Sequence, residues 1–149
     1  MHSTQFRTPG WPEGSLRLRR QTPDHSGILV SLSDYQTAAV TGASSGIGAA
    51  VAHELSRRGL NVHAIARRED RLAQQTSCEI HVLDIRETEA LVALLESLEV
   101  DILVNNAGVG RGYGSLVDAD PIDIDCTLDT NVRAAVHAVR AVLPSMIER

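Results

Sequence analysis

The chain has 149 residues, 43% of them hydrophobic, and a formal net charge of −5 at pH 7. That length holds one domain with a sizeable core, and the acidic balance gives nucleic acid no general electrostatic attraction, so no nucleic-acid partner is expected. No run approaches the ~20 apolar residues of a membrane span, so no membrane partner is expected either.

Residues 1–33 differ from the rest. They carry Pro9-Gly10, Trp11-Pro12, Glu13-Gly14 and Thr22-Pro23 without sustained periodicity, a composition that opposes regular structure. They read as a disordered leader; a start site assigned too far upstream is the alternative. Arg17, Arg19 and Arg20 form a basic cluster, but Glu13 and the prolines argue against an organelle-targeting segment, and the apolar core of a secretory signal is missing.

From Gln36 the pattern turns regular. Thr37 to Val40 is a strand that runs into Thr41-Gly42-Ala43-Ser44-Ser45-Gly46-Ile47-Gly48. A helix follows over Ile47 to Arg58, with Ile47, Val51 and Leu55 on one face, and Gly59 closes it. Asn61 to Ala66 is the second strand, Glu69 to Gln75 a short helical crossover, and Glu79 to Leu83 the third strand. Thr88 to Leu98 is a helix striped by Leu91, Leu94, Leu95 and Leu98. Ile102 to Asn105 is the fourth strand, and Gly108 to Gly114 a glycine-rich loop. Ile124 to Ile147 reads as one long helix carrying Leu128, Val132, Ala135, Val139 and Leu143.

Strands alternating with helices imply right-handed βαβ units and an α/β, Rossmann-like doubly wound parallel sheet. The expected strand order is 3-2-1-4, with a ligand crevice at the carboxyl ends of strands one and four, where the order reverses. Residues 34–149 then read as a partial Rossmann domain, truncated after the fourth strand and its following helix. An unpaired edge on strand four predicts marginal solubility for the isolated chain.

Strand, glycine loop and helix form a layout that binds a nucleotide diphosphate. Gly42, Gly46 and Gly48 allow the tight turn, the amides that open the helix face an anion, and Ser44 and Ser45 offer hydroxyls to phosphate oxygens. The G-x-x-x-G-x-G spacing alone also fits an ordinary strand-to-helix turn, with the serines as loop polarity. The second strand ends in Ala66-Arg67-Arg68. A carboxylate there would hold a ribose and repel a 2′-phosphate, whereas a guanidinium fork suits that phosphate. NADP(H) is therefore expected over NAD(H). Alternatively both arginines start the crossover helix in solvent, paired with Glu69 or Asp70.

Cys78 and Cys126 lack metal-ligand spacing and read as free thiols of a reducing compartment, which makes a cytoplasmic protein the default. The six histidines show no ligand spacing. His53 and His137 fall on helices, His63 and His81 alternate within strands, and all read as structural or exposed. No metal site is expected.

A second motif, Asn105-Asn106-Ala107-Gly108, follows the apolar run Ile102-Leu103-Val104. With Thr-Gly-x-x-x-Gly-Ile-Gly it resembles the classical short-chain dehydrogenase/reductase family, over Gln36 to Arg149. The resemblance implies hydride transfer between a nicotinamide and a carbonyl or alcohol substrate. It implies that the Ile47 N–H faces the diphosphate, that Arg67 contacts the 2′-phosphate, and that Asp84 and Ile85 hold the adenine. Asp84 also reads as part of an N-cap region. Asn105, Asn106, Ala107 and Gly108 would steady the sheet and line the adenosine side. Asn131, in Thr130-Asn131-Val132, matches the family's catalytic Asn that helps hold a water; by periodicity alone it is a helix-kink residue.

The family's proton transfer uses a Tyr, a Lys four residues later and a Ser on the preceding strand. This sequence has no lysine, and all fourteen of its basic residues are arginines. The expected reading is an NADP-dependent oxidoreductase represented by its cofactor half. A non-catalytic NADP(H)-binding module or partner subunit competes with it, as does a degenerate product. A family-type homo-oligomer is compatible with the sequence, with its interface incomplete.

Overall fold

The computed structural model describes residues 31–149 apart from Thr76, Gly112 and Tyr113. The leader expected over residues 1–33 lies outside the described residues as far as residue 30. Four parallel strands form one sheet: β1 (Thr37–Thr41), β2 (Asn61–Ala66), β3 (Glu79–Val82) and β4 (Ile102–Val104). Their order is β3-β2-β1-β4, as expected, and Ala39 pairs with His63 on one side and Leu103 on the other.

Helices cover both faces. Val40, Val62 and Ala64 pack beneath α1 (Gly46–Arg57) and α2 (Glu69–Leu72), where Ala52 and Leu72 are buried. Ala39 and Ile65 face Leu91 and Leu95 of α3 (Thr88–Glu96), and Ala134, Ala138 and Val142 of α5 (Ala134–Glu148). Ala38, Ala39 and Val40 of β1 are apolar and fully buried, the mark of a central parallel strand.

The C-terminus of α1 is a complete Schellman motif. Gly59 has φ +93°, its N–H donates to the Ser56 carbonyl (2.9 Å), and the Leu60 N–H donates to that of Leu55 (3.2 Å). Leu55 and Leu60 both join the core beneath, so the turn also fixes where β2 begins.

Two helical stripes differ from expectation. On α1 the buried residues are Gly48 and Ala52, while the Ile47 side chain is 76% exposed. The long helix starts at Pro121, since Asp120 caps it by accepting from the Ile122 N–H (2.8 Å) and proline suits the first helical position. It runs as α4 (Pro121–Leu128), a π-helical turn (Asp129–Arg133) and α5. Its core face is Ala134, Ala138 and Val142, whereas Leu128, Val132, Val139 and Leu143 are exposed. Small residues let the helix axes approach the sheet and α3 closely, so the bulkier apolar side chains fall outside. Val136, Val139, Leu143 and Ile147 thus line an exposed apolar concavity of about 590 Å³. Among the described residues, no helix is long and apolar enough to cross a membrane.

Asp101 ties the amino-terminal ends of the central strands together. One carboxylate oxygen accepts from the N–H groups of Gln36 (2.9 Å) and Thr37 (3.0 Å), and the other lies 3.1 Å from the Arg149 guanidinium. These backbone hydrogen bonds, then Arg149, hold its pKa below the ordinary 3.8. A depressed carboxylate contributes stability above its unfolded pKa and loses it as pH falls through the folded one. Asp101→Ala should cost about 2 kcal/mol in urea denaturation at neutral pH. The difference from wild type should start to shrink as pH falls below ~3.8 and be lost only once pH passes below the depressed folded pKa; a difference that does not shrink on acidification would refute the carboxylate's part.

Candidate functional site

The carboxyl ends of all four strands open into one cleft of about 240 Å³. After β1 it is lined by Gly42, Ser44 and Ser45; after β2 by Arg67 and Arg68; after β3 by Asp84 and Ile85; after β4 by Asn106, Ala107 and Gly108. Gly46, Ile47, Gly48, Asn105 and Asn131 do not line it. Gly48 is buried against the loop after β4, Asn105 and Asn131 bond to neighbouring backbone, and Gly46 and Ile47 are exposed.

The two loop motifs are joined at Thr41. Its buried hydroxyl accepts from the N–H groups of Asn106 and Ala107, both at 3.1 Å, and donates to the Val104 carbonyl (3.3 Å). Asn106 Nδ2 returns a hydrogen bond to the Thr41 carbonyl (3.0 Å). The glycines permit this approach. A Cβ on Gly42 would lie 2.8 Å from the Ala107 Cα, and Gly42 also has φ +71°. A Cβ on Gly48 would lie 2.5 Å from the Gly42 carbonyl oxygen and collide with Asn106 Nδ2. Gly46 differs: a Cβ there meets nothing, but its φ of +58° is strained for a side chain.

Ser45 stands at the N-cap of α1 but makes no side-chain cap bond. Its hydroxyl accepts from Arg68 Nη2 (2.7 Å), and the Ser44 hydroxyl accepts from the same nitrogen (3.0 Å). Each hydroxyl thereby keeps its own proton free to donate. The opening amides of α1 have no carbonyl partner within the helix. A guanidinium, two hydroxyls and a helix amino-terminus thus converge on one rim, a donor set suited to a phosphate.

Arg67 Nη1 lies 3.7 Å from the Asp84 carboxylate, so it pairs across the cleft instead of with Glu69 or Asp70. Asp84 is also held by the Arg86 guanidinium at 2.6 Å. The Arg86 hydrogen bonds, against the opposing effect of burial, keep the Asp84 carboxyl below the usual range. The N-cap of α3 is Glu87, so Asp84 does not cap that helix; it accepts from the Arg86 N–H in the turn before it.

Asn131 lies in the π-helical turn. Its Oδ1 accepts from the Val109 N–H and its Nδ2 donates to the Val109 carbonyl, both at 2.8 Å. Asn105 Nδ2 donates to the Ala135 carbonyl (3.1 Å). The two asparagines therefore pin the loop after β4 to the long helix.

Sequence reasoning gave no role to Thr41, Val109 or Thr130, the last two of which line the cleft. Thr41 stood inside the first motif, and its β-branched hydroxyl at a strand end was the available signal. Val109 carried none, because it acts through its backbone. The structure also groups His63, Glu79 and His81, with ligand atoms within 4.8 Å of one another. No spacing within one segment reveals that group, since it forms across two strands.

Comparison with known proteins gives a consistent result. The family model for short chain dehydrogenases matches residues 36–149. An uncharacterized short-chain type dehydrogenase/reductase of Sinorhizobium fredii is 42% identical over 123 residues, covering 77% of this chain and 48% of that protein. An NADP-dependent 3-hydroxy acid dehydrogenase of Shigella flexneri is 38% identical over 120 residues, covering 74% and 48%. The closed form of a serine dehydrogenase complexed with NADP+ superposes with a TM-score of 0.72 at 35% identity, covering 76% of this chain and 50% of that one. The chain thus spans about half the length of the curated relatives it matches.

Gly48→Ala should destabilise the fold by about 3 kcal/mol, because backbone on one side and Asn106 on the other cannot both retreat. Gly46→Ala should cost only about 1–2 kcal/mol, from backbone strain. Thermal or urea denaturation of the two variants checks the ranking; equal losses would show that the close approach at Gly48 is not what holds the two loops.

Proposed function

The chain belongs to the short chain dehydrogenase family, and from that premise we propose that it forms the NADP(H)-binding half of an oxidoreductase acting on a carbonyl or alcohol substrate. The observation that carries the cofactor preference is the rim of Arg67, Arg68, Ser44 and Ser45: two guanidinium groups directly follow β2, Arg68 rests on the serine hydroxyls, and the carboxylate paired with Arg67, Asp84, comes from the end of β3. Arg68, already seated on the loop hydroxyls, and Arg67, released from Asp84, would grip the 2′-phosphate between them. The named NADP users among the relatives agree with this reading.

The opening amides of α1, including that of Ile47, would hold the diphosphate across Gly42, Gly46 and Gly48. Asp84 and Ile85 would take the adenine, and Asn106, Ala107 and Gly108 the adenosine side. A bound nicotinamide supplies the hydride chemistry. Asn131 uses both amide atoms on Val109, so it would act as a positioning residue that fixes the loop after β4. The family's Tyr-x-x-x-Lys pair has no counterpart in these residues, because they contain no lysine. On this reading the proton-transfer groups lie outside these residues, which alone would bind nucleotide without turnover. The exposed apolar face of α5 supports association with further protein, as in a family-type homo-oligomer.

Titration of the purified chain with NADPH and NADH should give at least tenfold tighter NADPH binding. Arg68→Ala should remove about 1.4 kcal/mol or more of NADPH binding, a tenfold loss, and leave NADH nearly unchanged; Arg67→Ala should act in the same direction. Equal affinity for the two nucleotides would overturn the preference. Oxidation of NADPH by a carbonyl panel in the presence of this chain alone would overturn the division between binding and proton transfer.

A further inference from the structure

The parallel register of β2 and β3 sets His63 directly opposite Glu79 and His81 opposite Ile65. Alternate residues of a strand share a face, so His63, Glu79 and His81 meet on one side of the sheet. None of the three lines the nucleotide cleft. The nearest ring nitrogens, His63 Nδ1 and His81 Nε2, are 3.0 Å apart. The two Glu79 oxygens complete a triangle, Oε2 at 3.6 Å from His63 Nδ1 and Oε1 at 3.7 Å from His81 Nε2.

From these edges we propose that His63, Glu79 and His81 bind a divalent transition ion, with zinc as the best fit, which staples the edge strand β3 to β2. Metal–ligand bonds of about 2.0–2.1 Å at tetrahedral angles place ligand atoms about 3.4 Å apart, inside the span of this triangle. Two imidazoles and one carboxylate are a donor set for zinc and its neighbours and not for calcium or magnesium, which want oxygen. Asn61 Nδ2 stands 3.5 Å from His63 Nε2, the ring nitrogen that faces away from the triangle. With Nδ1 on the ion, Nε2 carries the ring proton, so the Asn61 amide would turn its Oδ1, and not its Nδ2, to accept that N–H and hold the ring plane. Burial is graded in the useful direction. The His63 side chain is 5% exposed, His81 18% and Glu79 59%, so the ion reaches a fixed buried nitrogen past a mobile carboxylate and keeps an open position for water. β3 has β2 as its one neighbour in the sheet, and Ile80 and Val82 are exposed, so this strand gains most from a cross-strand staple.

The test uses the untagged chain and zinc chloride, free of nucleotide. Competition with a chromophoric chelator should give one tight zinc per chain, and the melting temperature should rise with zinc and fall back on chelation. Glu79→Gln, at the exposed corner, should fold as wild type and bind zinc at least tenfold more weakly; His81→Gln should abolish the site. His53→Gln, on α1 and outside the group, should leave binding unchanged. Zinc affinity unaltered by Glu79→Gln and His81→Gln, or a melt insensitive to zinc, would overturn the proposal and leave the histidines as a hydrogen-bonded pair only. The outcome is independent of the nucleotide reading, because no residue of the cleft takes part.

Discussion

The structure depends on how closely β1 and β4 approach at their carboxyl ends. Thr41 holds that junction: one side chain accepts two backbone N–H groups from the loop after β4, and its own carbonyl takes the Asn106 amide. A buried hydroxyl with three bonds is satisfied at every point, where an unpaired one would cost stability. The junction is possible only because Gly42 and Gly48 leave no Cβ in the space that Asn106 and Ala107 occupy. The crevice beside the reversal of strand order is therefore a by-product of packing two loops as tightly as backbone permits.

Charge on the rim of the crevice is arranged in two separate sets. Among the described residues Arg68 pairs with no carboxylate; it rests on the Ser44 and Ser45 hydroxyls, which are poised as donors. Arg67 and Arg86 share Asp84 instead, so that carboxylate stays ionised and oriented. The result is a net cationic mouth on an acidic chain, and the local field there, not the overall charge of −5, governs what approaches.

Across the cleft, the long helix changes its winding where it meets the loop. The Thr127 and Thr130 hydroxyls bond to the carbonyls of Asp123 and Cys126 behind them, at 2.7 and 2.8 Å. Within the π turn that follows, Asn131 points to the Val109 backbone and clasps both its polar groups. A widened turn at such a position is a common means of aiming one side chain out of a regular helix. The reading of Asn131 as an irregularity in the helix corresponds to this turn.

The sequence by itself determined the order of the strands and main helices, the sheet order, and the family. Short apolar runs alternating with helical periods leave little topological choice, and two motifs at strand ends locate the crevice. It also determined that Gly59 ends α1, because the Schellman turn is local chemistry. The buried stripe of α3, Leu91 and Leu95, was legible too, but only tertiary structure decided which faces of α1 and of the long helix are buried. Periodicity marks large apolar side chains, but close packing against the sheet selected Gly48, Ala52, Ala134 and Ala138, and left Ile47, Val139 and Leu143 outside. Tertiary structure likewise brought His63 to Glu79 and His81, and bound Arg68 to the serines, since neither contact lies within one segment. Spacing along a chain encodes what one helix or strand can do alone, whereas register between strands and the distance between loops are fixed only when their side chains compete for the same space.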